Sequence, residues 1–145
     1  GPLECEPNSC LALDCSFLSE DFCVLDGEHF FVRSILEIPV HGLDDCFTFG
    51  CWGSLRRENF EAYVAHFDDG FDESEVPWWS WMSNRLRPFV GEENVGCWML
   101  PRAERLRPVL TVDDDAHPLA VAQREGIAPE AILEIYRSYG HEIPV

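Results

Sequence analysis

Residues 23–55 read CVLDGEHFFVRSILEIPVHGLDDCFTFGCWGSL, and this run decides the fold. It opens on a short apolar strand, residues 23–25. Asp26-Gly27 follows, a dipeptide favoured in two-residue type I′ turns because both residues tolerate positive φ. Residues 28–40 form the return strand. In it His29, Phe31, Arg33 and Ile35 share one face, and Phe30, Val32, Ser34 and Leu36 the other. Neither face is cleanly polar, so the strand reads as central and covered on both sides for much of its length. The doublet Ile35-Leu36 marks a possible change of phase, a bulge. Pro39 has no N–H for a ladder and ends the pairing. A loop over residues 41–45 leads to a third strand, 46–54. Gly50 and Gly53 within it suggest close backbone approach.

Working outward, Phe60, Tyr63, Val64 and Phe67 recur at the spacing of an amphipathic helix, with Ser54 as candidate N-cap and Glu58 in the first turn. That helix ends near Asp68-Asp69-Gly70. The stretch DDGFDESEVP, residues 68–77, is an acidic loop carrying Asp68, Asp69, Asp72, Glu73 and Glu75. Trp78, Trp79 and Trp81 come directly after it. They cannot all point into one core, so at least one belongs at the surface or along a groove. Residues 83–88 read as a turn. Residues 95–100 and 106–112 read as two more strands, linked by a connection holding Arg102, Arg105 and Arg107. A short helix over 118–125 stops at Gly126. A last helix starts with Pro129 at its first position, presents Ala131, Ile132, Ile135 and Tyr139, and stops at Gly140.

The N-terminal residues 5–22 have no clear periodicity beyond a helical turn that Asn8-Ser9 could open. Gly1-Pro2, with Leu3-Glu4, reads as a scar of tag removal and is left out of fold reasoning. Length bounds the chain to one domain of 145 residues, long enough to bury a core.

The formal net charge is −17. With 46% apolar residues and five Trp, this is a folded acidic protein rather than a disordered one. The charge opposes binding to nucleic acid and to anionic membranes, and favours a cationic partner. No run of apolar residues is long enough to span a bilayer, and no signal-peptide pattern is present. Seven Cys form no regular framework, which points to a reduced, cytoplasmic setting.

Three segments carry a family resemblance: CVLDGEHFFVRSILEIPV, FGCWGSLRRENF and HPLAVAQREGI. Together they resemble the bacterial domain-of-unknown-function family 2199, over roughly residues 21–130. The family's Gly-x-Trp strand is matched by Gly50-Cys51-Trp52, and its helix start by Asn59-Phe60. Members of that family often begin with a Cys-x-x-Cys pair followed by Gly. This chain lacks the pair, so the resemblance implies no metal site here.

Several chemistries can be weighed on residue types. A Cys/His pair drawn from Cys23 or Cys51 with His29 or His41 has no nucleophile motif behind it, and buried strand thiols are inert. The Cys5, Cys10, Cys15 spacing does not match paired zinc ligands. The acidic loop lacks the calcium-loop pattern. Arg33 and Glu37 share a strand face and read as a structural ion pair. No cofactor motif is legible.

The expectation is therefore an α+β fold, an antiparallel sheet of about five strands with about three helices packed mainly on one side. The expected function is that of a non-enzymatic acidic binding protein, most concretely an immunity-type inhibitor that neutralises a basic toxin or effector. Its partner surface would be Asp68, Asp69, Asp72, Glu73 and Glu75, which steer, and Trp78, Trp79 and Trp81, which anchor. The alternative is a metal-binding module or metal-dependent enzyme using N-terminal Cys and His29. Solvated acids over core tryptophans would leave no partner surface at all.

Overall fold

The computed structural model describes residues 15–18, 21–83, 86, 89–90 and 93–138. Seven strands are present among them: β1 (Cys15–Leu18), β2 (Phe22–Leu25), β3 (His29–Pro39), β4 (Cys46–Leu55), β5 (Trp78–Met82), β6 (Val95–Leu100) and β7 (Val109–Val112). The helices are α1 (Arg57–Ala65), α2 (Pro118–Glu125) and α3 (Pro129–Ser138), with a 3₁₀ turn at Glu73–Glu75. Each strand pairs with the next in sequence.

The Asp26-Gly27 turn forms as its residue types require. The two φ values are 53° and 66°, and Glu28 N–H donates to the Leu25 carbonyl at 3.0 Å. β4 then runs antiparallel along β3, from Phe30 opposite Leu55 to Pro39 opposite Cys46. That register is unbroken, so the bulge expected at Ile35-Leu36 does not exist. Leu36 stays on the buried side and Ile35 on the other.

The sheet is not purely antiparallel. β7 pairs with β3 in parallel, Ile35 opposite Val109, and Ile35 N–H donates to the Pro108 carbonyl at 2.9 Å. This contact closes β3 to β7 into a barrel, while β1 and β2 extend the sheet along the first part of β3. Apolar alternation fixes which face of a strand is buried but not the direction of its neighbour. A second parallel contact joins Val40 to Ile127, so the segment before α3 also rests on the end of β3. There His41 N–H donates to the Ile127 carbonyl, and Ile127 N–H to that of Pro39, each at 2.9 Å.

One face of the closed sheet makes the main core. Val32, Leu36 and Ile38 of β3 meet Cys51 and Leu55 of β4, Met82 of β5, Cys97 and Met99 of β6, and Leu110 of β7. All three helices feed the same core, through Phe60 and Tyr63, through Leu119 and Ala122, and through Ile135. At one end Phe22 stands edge-on to Phe60, Tyr63 and Phe67. A smaller cluster of Cys23, Leu25, Phe31 and Trp52 buries the opposite face of the β2–β4 region. β3 is thus covered on both sides there, as its lack of a polar face implies.

α2 is fastened to the edge of β7 by one side chain. Gln123 accepts from Val112 N–H at 3.0 Å and donates to the Leu110 carbonyl at 2.9 Å. α1 begins at Arg57 with Arg56 as N-cap and no side-chain cap. Ser54, the expected cap, lies inside β4 instead. Val64 is exposed, so the helix buries a narrower stripe than its spacing promised. The N-terminal turn expected at Asn8-Ser9 and the Tyr139 and Gly140 helix end lie outside the described residues.

Candidate functional site: an aromatic face beside an open cleft

β5 was not anticipated as a strand, and it builds the site. Its WWSWM sequence alternates: Trp78, Ser80 and Met82 are buried, while Trp79 and Trp81 point to the other face. Trp81 lies opposite Gly96 and Trp79 opposite Trp98 in the β5–β6 pair. The result is a three-indole patch. Trp79 is edge-on to Trp81 at 5.3 Å between centroids and to Trp98 at 5.1 Å. Such contacts hold rings in place beyond their area burial. The lack of a side chain at Gly96 makes room for the Trp79 ring, which a Cβ there would strike. Trp98 is anchored by its indole N–H, which donates to Asp113 Oδ1 at 2.8 Å. Even so, Trp79 and Trp98 remain 38% and 39% exposed. Large apolar groups left out on one face mark interaction surfaces more often than solitary exposed residues do.

Next to this patch β4 and β5 separate. They are paired at Gly53 and Met82, and Ser83 N–H donates to the Trp52 carbonyl at 2.8 Å. One step further a side chain bridges the gap: Trp81 N–H donates to Ser54 Oγ at 3.0 Å. Beyond that a cleft of about 600 Å³ opens. Trp79, Trp81 and Pro77 form one wall; Ser54, Leu55 and the start of β3 with His29 form another. Arg56 and Asn59 at the head of α1 close one end, and Glu28 and Glu75 bring carboxylates to it. The head of α1 is held against the hairpin, because Arg57 donates to the Gly27 carbonyl at 3.1 Å and its guanidinium covers the Phe30 ring at 4.9 Å.

The expected partner residues separate into groups. Trp79, Trp81 and Glu75 come together at the cleft. Trp78 also lines the cleft, but it is buried on the opposite face of β5, edge-on to Phe71 at 5.7 Å, and takes no part in the exposed indole patch. Asp68 is ion-paired with Arg105, whose guanidinium also lies over Phe67 at 5.5 Å. The hydrogen bond from Arg105 holds the Asp68 carboxyl below the usual carboxylate range. Asp72 accepts from the Ser74 hydroxyl at 2.7 Å and from Ser74 N–H at 2.9 Å, and these bonds likewise lower its pKa. It caps the 3₁₀ turn. Asp69 is exposed, and of Glu73 only the backbone is described. The acidic loop is therefore partly occupied in holding itself together.

Trp98, Glu28 and His29 complete the surface but were not singled out as partner residues. Trp98 sits in a strand visible in the sequence, yet only the β5–β6 register shows that it meets Trp79. The expected Arg33–Glu37 pair is not formed. Arg33 lies over the Trp52 ring at 5.3 Å, on the neighbouring strand, because opposed residues of β3 and β4 are closer than residues four apart along one strand.

Cys51 and Cys97 are buried, and burial raises both thiols, Cys97 to about 12 and Cys51 further. Thiols held protonated are poor nucleophiles. Among the described residues no three His, Cys, Asp or Glu converge as metal ligands. Cys5 and Cys10 lie outside the described residues. Among those residues no helix is long and apolar enough to cross a membrane.

Residues 7–127 match the family described as "Uncharacterized protein conserved in bacteria (DUF2199)". That covers most of the chain, so the protein belongs to this family. No curated protein and no solved structure matches.

Proposed function

We propose that this member of the DUF2199 family is a non-enzymatic binding protein that captures a basic protein partner on its Trp79–Trp81–Trp98 face. The observation that carries the reading is the patch of three indoles, Trp81 and Trp98 each packed on Trp79, beside an open cleft in a chain of net charge −17. Rigid aromatic anchors supply binding energy at low entropic cost. A field of one sign speeds the encounter with an oppositely charged partner. Compared with the sequence expectation, the surface moves from the acidic loop to the sheet. Trp98 and Glu28 join it, Asp68 and Asp72 leave it, and Trp78 contributes only buried lining to the cleft.

In the inhibitor form of this reading the partner is a basic toxin whose working surface is covered. The compartment would be the cytoplasm, a reducing setting that suits the free thiols of Cys23, Cys51 and Cys97. Co-expression with the product of an adjacent toxin-like gene tests it. Wild type should retain that product at low salt, release it near molar salt, and protect the producing cell. Trp79→Ala with Trp98→Ala should do neither. Equal retention by that folded double variant sinks the proposed surface.

A further inference from the structure

We propose that the cleft receives its partner as an added β-strand: an extended, cationic segment that hydrogen-bonds to the open edge of β5 at Trp79. This rests on the reading of the cleft as the partner site and specifies how the partner is held.

The argument comes from hydrogen-bond parity. Residues along a strand direct their N–H and C=O groups alternately to the two neighbours. Asp113 N–H donates to the Gly96 carbonyl at 3.0 Å, so Gly96 directs its backbone groups toward β7. The Trp81–Gly96 pair is then one without mutual hydrogen bonds, and so is Trp79–Trp98 two residues away. The other side of β5 agrees. Ser83 N–H reaches the Trp52 carbonyl and Trp81 N–H reaches Ser54 Oγ, both on β4. Continuing the alternation, Trp79 turns its N–H and C=O away from β6 and into the cleft. β4 is no longer there to meet them. It ends at Leu55, the chain enters α1 at Arg57, and the β4–β5 pairing lies back at Gly53 and Met82. Among the described residues nothing hydrogen-bonds the Trp79 backbone on that side.

An open strand edge lined by pockets is the arrangement used in strand addition, where main-chain bonds give affinity and alternate side chains give specificity. The cleft supplies two different faces for such alternation. Phe30 and Leu55 lie toward the interior, and Trp79 and Trp81 toward the outside. The charge lining it selects the occupant. Glu28 and Glu75 are exposed and have no ion-pair partner among the described residues, whereas Arg56 is matched by Glu58 at 3.6 Å. A segment alternating apolar and Lys or Arg residues fits both faces, and the indoles offer cation–π contacts to the charged ones. A second copy of this chain is disfavoured as occupant, since both copies would carry −17.

The test uses peptides of about eight residues, an ordinary strand length, with Lys or Arg at every second position and the intervening positions varied over apolar residues. Binding to the whole protein is measured at low salt. The best binder is then remade with backbone N-methyl groups on alternate residues, in both phases, and Trp79 amide exchange is followed by NMR. We expect one phase of methylation to weaken binding about ten-fold, as two lost hydrogen bonds would, and the peptide to slow exchange at the Trp79 amide. If both methylated forms bind within about two-fold of the parent and Trp79→Ala still abolishes binding, strand addition is wrong while the aromatic-face reading stands. Slowed exchange at another strand edge overturns the proposal in the same way. If no cationic peptide binds, or Glu-substituted versions bind equally well, both readings fail.

Discussion

Trp79 faces Trp98 across the β5–β6 pair with ring centroids 5.1 Å apart and planes at 77°, and its ring fills the space left by the missing side chain of Gly96. Gly96→Ala places a methyl group in the ring and forces it outward. Loss of the aromatic contacts should cost about 1 kcal/mol, read by urea unfolding, and should change the tryptophan emission. Unchanged emission would mean that Trp79 does not lie over this residue.

Within the acidic loop, charge changes should matter at Glu75, which lines the cleft, and not at Asp68, which is ion-paired away from it. Glu75→Lys should slow association with a basic partner and reduce its salt dependence. Asp68→Asn should leave association nearly unchanged, because Arg105 already meets that carboxylate. The Asp68 pKa is depressed in the folded state. Its small stabilising effect is therefore full above the ordinary carboxylate pKa and disappears as pH falls through the lower folded value. Association rates at two ionic strengths, with acid titrations of wild type and Asp68→Asn, check both statements.

Gly53 and Ser80 form a coupled pair in the core. A Cβ on Gly53 would lie 2.6 Å from Ser80 Oγ and 2.7 Å from Met99 Cε. Gly53→Ala should destabilise by roughly 1–3 kcal/mol through overpacking. The Ser80 hydroxyl is buried and has no hydrogen-bond partner among the described residues. Ser80→Ala should accordingly be neutral or slightly stabilising. Together they should cost less than the sum of the single changes, since removing Oγ makes room for the new methyl. Chemical denaturation of the four proteins completes the cycle; strict additivity would place the clash elsewhere.

Alkali should weaken the fold through its buried acids. The Cys97 thiol is raised from 9.0 to about 12, and Cys51 and Tyr63 are raised further, each chiefly by burial. Above its ordinary pKa each group releases its proton in the unfolded chain but keeps it in the folded one. Stability must then fall as pH rises, by about 1.4 kcal/mol per pH unit for each such proton. Cys97→Ala, compared with wild type between pH 8 and 11 (about the range in which unfolded thiols ionise), should show a shallower decline. Alkylation at neutral pH should spare Cys51 and Cys97 and reach the exposed Cys46.

His117 caps α2 with its ring. Nδ1 accepts from Leu119 N–H at 3.0 Å, so Nε2 carries the proton and donates to Glu93 Oε1 at 3.0 Å. His117→Ala should cost about 1 kcal/mol, and His117→Asn should recover most of it. Thermal unfolding of the two variants decides whether the cap or the Glu93 contact matters more.

Much of the fold is legible because local chemistry determines it. Asp26-Gly27 sets its own turn, Pro39 ends its strand, and Pro118 and Gly126 bracket α2. The Trp78–Met82 strand was readable in principle, but two adjacent tryptophans hid an alternation that Ser80 and Met82 complete. The parallel pairing of Ile35 with Val109 has no local signature, since each strand's pattern is satisfied by a neighbour of either direction. The same holds for the site. Trp79 and Trp81 stand out in the sequence, whereas Trp98 reaches them only through register. Asp68 looked like one more free acid, because nothing nearby in the sequence reveals Arg105.

The barrel together with the adjoining β2 consists of two three-stranded meanders, β2–β3–β4 and β5–β6–β7, joined at Gly53–Met82 and Ile35–Val109. In kinetic terms this divides the molecule into quick and slow parts. Each meander closes only short loops, while the joints must bring together residues far apart along the chain. Contacts made after the rate-limiting step govern unfolding more than folding. If the joints close last, they set how long the barrel stays shut once formed. The cleft would then border the joint that governs its lifetime, and a strand docked against β5 would act as a fastener as well as a ligand.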